Sequence, residues 1–540
     1  MNYYSEESMF EKVKQKIRNK TSLQISILII INIIIFLPCI IALPEHYLDD
    51  FVVFGVINSH PNNPISLNPA DPYFLFLRPV SYLSFWIDYK LFPMMPLLMK
   101  FETLLIHLVL VATVYFLLIE LKKYFKLEIS NGWIFFATMV YSIYPDNYKW
   151  ITWITNRTEL LMILFYVLSL LFMLKYLNNP IHKFNYLLLH LFFFWLSIAS
   201  KQQALHIPLL FIYLLLIKKR NMIEDQKKII ITLLIIELVV MVIFIFSNFY
   251  IHVNESTIFL TNLWKKPLSL FGNLLIILNP YYGEILYTYI VIHKTLAITI
   301  VFIFFVVLFL LIYKYRVLKN IILLLISYLI ISFPRIFVPA GNRVNSIQVI
   351  FVLVILFGCL VNYREKLLRF VLYSLVILNF GTVLRYAKVN NEINTINQFR
   401  IQKLISLYDY NTFILVLKDP LLINYQYHFV KTKNYSNANL NIAPILFTEL
   451  IGPNYLNNCP KITSSILNNR ITIETLDEYV FLSINPGESP YYYFNPSKLK
   501  VEEAISGRGY SKISFEIPDG MKNKKLIYHD GVDWRVVTQL

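Results

Sequence analysis

A polytopic α-helical membrane protein, crossing a bilayer about eleven times and carrying a soluble C-terminal domain of roughly 150 residues, is the fold class this sequence predicts. Three observations predict it. The 540 residues are 57% hydrophobic and only 15% charged, against roughly 25% charged in soluble domains, and mean hydropathy is +0.56. The apolar residues gather in runs near the length of ~20 that a helix needs to cross hydrocarbon. The basic residues fall mainly in short loops between those runs, where they set topology. That placement accounts for a net charge of +16 without a nucleic-acid partner.

The first run, residues 22–43, follows Lys12, Lys14, Lys16, Arg18 and Lys20. It is longer than the ~7–15 residues of a signal-peptide core, so it predicts an uncleaved anchor with a cytoplasmic N-terminus. Residues 44–97 then form a first outer loop. Further runs fall near 98–120, 130–145, 158–177, 184–200, 203–217, 229–250, 295–313, 320–338, 344–361 and 367–386. Threading them alternately puts ELKKYFK (120–126), KKRNMIEDQKK (218–228), YKYRVLK (313–319) and NYREKLLR (362–369) all on the N-terminal side. Basic short loops belong in the cytoplasm, so these four agree with the threading.

The segment 266–294 is apolar but interrupted by Asn279, Pro280 and Gly283; to keep parity it enters and leaves on the outer side, as a re-entrant hairpin or two short spans. The membrane domain is thus 1–386. Residues 387–540 turn polar, and FILVLKD (413–419), ITIETLDEYVFLSI (471–484) and YSKISFEIPDG (510–520) alternate as strands do. An α/β or β-rich domain outside the cell is expected there. There is neither an internal repeat nor a Gly-rich phosphate loop, which argues against a nucleotide-sugar donor or an ATP-driven pump. Cys39 and Cys359 lie in apolar runs and Cys459 lies alone, so no disulfide framework or metal-ligand set is expected. Enrichment in Ile, Asn, Lys, Tyr and Phe leans toward a bacterial cytoplasmic membrane.

Charged residues on the outer side sit at or inside the membrane boundary. Asp49 and Asp50 follow the first span directly; they either end that helix in solvent or act as a general base or cation ligand. Arg78 precedes VSYLSFWIDYKLF, where aromatic and apolar residues interleave with Ser81, Ser84, Asp88 and Lys90, a pattern suited to a helix lying in the interface. Arg157 opens a span, Lys201 sits between two, and Arg335 and Arg343 flank PRIFVPAGNR. Each cation alone could snorkel to ordinary headgroups, but several at one depth could clamp a lipid phosphate. His46 and His107 are weaker candidates as ligands or proton carriers, and Glu102 shares a helical face with His107 only loosely. Asn156, Arg157 and Thr158 fit a glycosylation sequon, but at a helix mouth they read as packing and capping.

These stretches resemble the GT-C class of polyprenyl-phosphate-sugar glycosyltransferases, especially the branch near protein O-mannosyltransferases. Similar proteins carry an acidic pair after the first span, an Arg-Pro before an interfacial helix, a Trp-Ile-x-x-Arg-x-(acidic)-Leu-Leu helix start and a Ser-Lys-Glu turn. Here LDD (48–50), FLRPVSYLSFWIDYKLF (76–92), WITNRTELL (153–161) and SKQQALHIPLL (200–210) occur in that order. The likeness covers roughly the first 220 residues, within about eleven spans. It departs at Gln202 for the Ser-Lys-Glu acid, at Lys149 for an acid before the Trp-Ile helix, and at Lys100 and Thr103 for a His and an Asn.

The resemblance implies inverting transfer of a hexose or pentose, in a mannosyltransferase-like reaction of the cell envelope. The donor would be a polyprenyl-phosphate sugar, and the acceptor a glycan, lipid or protein hydroxyl. Asp49, ahead of Asp50, would deprotonate the acceptor, while Arg78, Arg157, Lys201, Arg335 and Arg343 stabilise the departing lipid phosphate. Glu159 and Gln202 would lie nearby. No cofactor is assigned, and a divalent cation is compatible. A lipid-linked glycan polymerase, ligase or flippase, a transporter and a non-catalytic scaffold share the spans and outer cations. Transporters more often pair discontinuous helices in two related halves, and here one hairpin has no twin.

Overall fold

The computed structural model describes residues 21–42, 57, 78–92, 95–127, 129–178, 184–218, 231–243, 279–282, 299, 349–350 and 365–407, together with seven short strands between 412 and 537. The chain divides into two compact units, one of residues 1–45 and 56–387, the other of 46–55 and 388–540.

The first unit is helical where described. Its elements are α1 (Thr21–Ala42), α2 (Pro79–Leu91), α3 (Pro96–Phe125), α4 (Asn131–Ser142), α5 (Pro145–Thr152), α6 (Arg157–Asn178), α7 (Phe184–Ser200), α8 (Ile207–Lys218), α9 (Ile231–Ile243) and α10, Glu365–Leu407, which continues into the second unit. Among the described residues, four helices are long and apolar enough to cross a membrane: Thr21–Ala42, Pro96–Phe125, Ile154–Asn178 and Arg369–Lys388. At 1.5 Å per residue the 22 residues of α1 reach about 33 Å, enough for a hydrocarbon core of about 30 Å. Phe184–Ser200, Gln203–Leu216 and Ile231–Ile243 are shorter apolar helices. The expected spans near 295–313, 320–338 and 344–361, and most of the 266–294 hairpin, lie outside the described residues.

Helices α3 and α6 are buried over most of their length, whereas α1 and α10 bury one stripe and expose the rest. In α1 the buried residues are Gln24, Leu28, Asn32, Phe36, Cys39 and Ile40, at helical spacing. The opposite face is as apolar: Ile30, Ile34 and Ile41 are exposed. Helix α10 repeats this, with Leu372, Asn379, Thr382, Val383 and Tyr386 buried and Phe370 and Ile377 outward. A face that apolar on its solvent side suits lipid. Proline opens α2, α3 and α5 within the first turn, where a missing N–H costs nothing. Lys126 ends α3 with φ 53°, the left-handed conformation common after a helix.

Polar rungs set the register. Tyr115 of α3 donates to Gln24 of α1, and His107 Nε2 lies 3.1 Å from Asn32 Oδ1. As one chain rises the other falls, so α1 and α3 are antiparallel. Ser197 donates to the Met162 carbonyl at 2.8 Å, Ser169 Oγ lies 2.7 Å from His190 Nδ1, and Phe172 packs on Tyr186, so α6 and α7 are antiparallel as well. Between α3 and α6, Arg157 reaches the Met99 carbonyl while Asn178 reaches Glu120, so these two run parallel. The C-terminal ends of α1 and α7 and the N-terminal ends of α3, α6 and α8 therefore gather at one end of the bundle, with α2 and α5.

Among the described residues of the second unit, β1 (Thr412–Leu415), β6 (Lys525–His529) and β7 (Trp534–Val537) form a sheet of order β1-β6-β7, parallel then antiparallel. An antiparallel sheet of order β2-β3-β5-β4 holds Ile462–Leu467, Arg470–Thr475, Gly509–Glu516 and Leu499–Ile505 respectively, with irregular pairing around Glu503. Strands β1, β3 and β5 fall in the three alternating stretches of the sequence.

The rungs make a topological prediction. With α3 crossing once, an impermeant maleimide should label Leu91→Cys in intact cells and Lys123→Cys only after permeabilisation; labelling of both from one side would show that α3 does not cross.

Candidate functional site

The Arg157 guanidinium has no exposed surface and is gripped from two elements besides its own helix. Its Nη1 lies 2.6 Å from Asp88 Oδ2 on α2 and 3.5 Å from Glu102 Oε2 on α3. Its Nε donates to Thr103 Oγ1 at 3.0 Å, and its Nη2 to the Met99 carbonyl at 2.7 Å. The Phe85 ring sits 5.8 Å beneath it. The local sequence arranges this. In PVSYLSFWIDYKL, Ser81, Phe85 and Asp88 recur at i, i+4 and i+7 and make the buried face of α2, while Arg157 opens α6 directly after the 3₁₀ turn Ile154–Asn156.

Two more contacts close the mouth. The Ser81 hydroxyl donates to the Ser200 carbonyl at 3.0 Å, fastening α2 to the end of α7. Lys201, which precedes the 3₁₀ turn Gln202–His206, is ion-paired to buried Glu159 in the first turn of α6. Three stretches far apart in sequence, SYLSFWID, NRTE and ASK, thus meet at one bundle end.

Burial pushes the Asp88 carboxyl up to about 8, helped by a hydrogen bond with Glu102 and opposed by the attraction of Arg157. The Asp88 carboxyl therefore holds its proton more readily than a solvated one, because burial penalises its charged form. Glu102 is 37% exposed and opens this pair to water. The mouth can therefore exchange a proton near neutral pH, the range useful in general acid and base chemistry.

The sequence-derived candidates divide into three groups. Arg157, Glu159 and Lys201 come together, but Arg157 faces carboxylates rather than an open phosphate position. Arg78 is the N-cap residue of α2; burial lowers its pKa, and its Nε is buried with no hydrogen-bond partner among the described residues. His107 lies one turn deeper than Thr103, buried against Asn32 and Phe36, away from the mouth. Gln202 begins a turn whose backbone alone is described. Asp49, Asp50, His46, Arg335 and Arg343 lie outside the described residues. Among those that are described, no three His, Cys, Asp or Glu side chains gather as a metal site.

Sequence reasoning missed Asp88 as a site residue and gave Glu102 little weight. The available signal was the stripe itself: an acid sharing a helical face with Phe85 and Ser81 must be buried wherever that face packs. It also passed over Asp146, fully buried in α5 one turn before Lys149, its partner at 3.7 Å. No protein-family model and no curated protein matches the chain.

Two expectations follow. Arg157→Met leaves the buried Asp88 carboxyl and the part-exposed Glu102 without their cation and should cost about 3–5 kcal/mol; adding Asp88→Asn should recover part of that loss in a double-mutant cycle. Because the Asp88 pKa is raised on folding, its contribution is fully present below the ordinary carboxyl range near 4 and is lost as pH rises through about 8. Thermal melts in detergent from pH 5 to pH 9 should fall with pH, and Asp88→Asn should flatten that fall; parallel slopes would reject the raised Asp88 pKa.

Proposed function

We propose that this protein transfers a sugar from a polyprenyl-phosphate donor to a hydroxyl acceptor at the outer membrane face, from a bundle of about eleven spans with residues 387–540 on that same side. The convergence of the α2, α6 and post-α7 stretches at one bundle mouth carries the reading, through the Ser81–Ser200, Arg157–Asp88 and Lys201–Glu159 contacts. These are the stretches on which the GT-C resemblance rests. The interfacial helix held there would bring Arg78, Lys201, Arg335 and Arg343 to the leaving phosphate. Arg157 acts through Asp88 and Glu102 as a positioning residue. Cations fixed in a poorly hydrated site stabilise the charge that develops on a departing phosphate, and a carboxylate of the Asp49–Asp50 pair takes the acceptor proton.

The test compares Asp49→Asn with Asp50→Asn, scoring sugar transfer and donor binding in the same membranes with a panel of polyprenyl-phosphate sugars. Asp49→Asn should lose most transfer and keep donor binding, since the amide preserves shape but cannot accept the proton. Near-normal transfer by both variants would reject the acid-pair mechanism.

A second reading, a lipid-linked glycan flippase or transporter, draws on an ion pair away from the mouth. His190 Nε2 lies 2.6 Å from Glu237 Oε1, both fully buried, with Ser169 against the other ring nitrogen. Ionisable residues at membrane depth are costly and commonly functional. Loss of lipid translocation in Glu237→Gln, with sugar transfer absent from the wild type, would favour it.

A further inference from the structure

We infer that Lys149 and Arg385 form a binding site for the phosphate of a membrane lipid, on elements other than those that hold Arg157. The Arg385 guanidinium is exposed and sits 4.4 Å from the Tyr281 ring centroid, with no carboxylate in ion-pair range among the described residues. The Lys149 ammonium, 27% exposed, lies 5.4 Å from the Tyr386 ring and 3.7 Å from buried Asp146. The two rings are 6.3 Å apart, and Tyr148 backs Tyr386 at 6.0 Å. The two cations thus stand on one continuous tyrosine platform.

The platform is held in place rather than draped. Asn279 Oδ1 accepts from the Tyr281 and Tyr282 backbone N–H groups, while its Nδ2 donates to Asn379 and Thr382 of α10. Tyr148 and Tyr386 pack in one apolar cluster with Phe36, Ile40, Leu104, Ile151 and Val383. That cluster fixes the depth: the site lies where α1 ends, α3 begins and the apolar part of α10 ends. A guanidinium seated on a ring uses its face there and keeps its N–H edge for an oxyanion.

What makes the ligand a lipid is the surface next to the cations. Ile377, Phe380 and Leu384 are exposed along α10 toward Arg385. They form a strip at helical spacing on which a hydrocarbon chain can lie with its phosphate at the helix end. A polyprenyl phosphate and a glycerophospholipid share this chemistry. The site does not depend on sugar transfer, so its failure and that of the proposed reaction are separate results.

Full-length protein in detergent would be titrated with undecaprenyl phosphate, phosphatidylglycerol, undecaprenol and inorganic phosphate, with native mass spectrometry as the readout. Wild type should bind a phosphate-bearing lipid at least about tenfold more tightly than undecaprenol or inorganic phosphate, and Lys149→Gln/Arg385→Gln should remove about tenfold or more of that preference. Loss confined to undecaprenyl phosphate would name the carrier lipid as the source, and equal loss for phosphatidylglycerol a bulk headgroup. Arg385→Lys should keep part of the preference. Lys175→Gln, at a cation that also lies over Phe172 and Tyr186 but on another part of the bundle, should change nothing. If the double variant does not fold, Arg385→Gln alone decides, since that side chain is exposed. Unchanged preference in a folded variant, equal loss of undecaprenol binding, or an equal effect of Lys175→Gln would overturn the site.

Discussion

A guanidinium removed from water is the constraint on which this end of the bundle depends. Burying Arg157 without partners would cost several kcal/mol or more, so α2, α3 and α6 must lie where Asp88, Glu102, Thr103 and the Met99 carbonyl can all reach it. Helix α2 has only 13 residues and would be marginal alone. Here it is held at both faces of its buried stripe, by Arg157 through Asp88 and by Ser200 through Ser81. Because the contacts share partners, removing one leaves others unsatisfied, and the mouth behaves as a unit.

Deeper in the bundle the same logic appears in neutral form. Lipid tails are as apolar as leucine, so helices in hydrocarbon gain little from burying apolar faces against one another, and packing and polar contacts choose the partner. The Gln24–Tyr115 and Asn32–His107 pairs choose for α1 and α3, and the Ser197–Met162 and Ser169–His190 pairs choose for α6 and α7. Glu120 is used twice, by Lys123 on its own helix and by Asn178 on α6. Each of these contacts satisfies a buried or part-buried polar group, so satisfaction and alignment are achieved together.

The mouth and the tyrosine platform offer complementary chemistry at the same bundle end. One holds the buried Asp88 carboxyl, whose pKa burial raises, and a lysine paired to a buried acid. The other presents two cations and an adjoining apolar strip.

The sequence by itself determined the helical, strongly apolar character and the order of elements where they are described, because the length and apolarity of a helical run depend on local composition and on a rise of about 1.5 Å per residue. The runs at 22–43, 98–120, 158–177 and 367–386 coincide with the four helices long enough to cross. The alternating stretches near 413, 471 and 510 carry strands for an equally local reason. Of the site, sequence picked out Arg157, Glu159 and Lys201, since charges at helix mouths are conspicuous. Only the tertiary structure decided what each of them touches. That Arg157 faces Asp88 and Glu102, that Lys201 faces Glu159, and that Lys149 and Arg385 stand beside one pair of tyrosines follow from helix packing. Such pairings join residues separated by whole spans, and the helical period within any one segment cannot encode them.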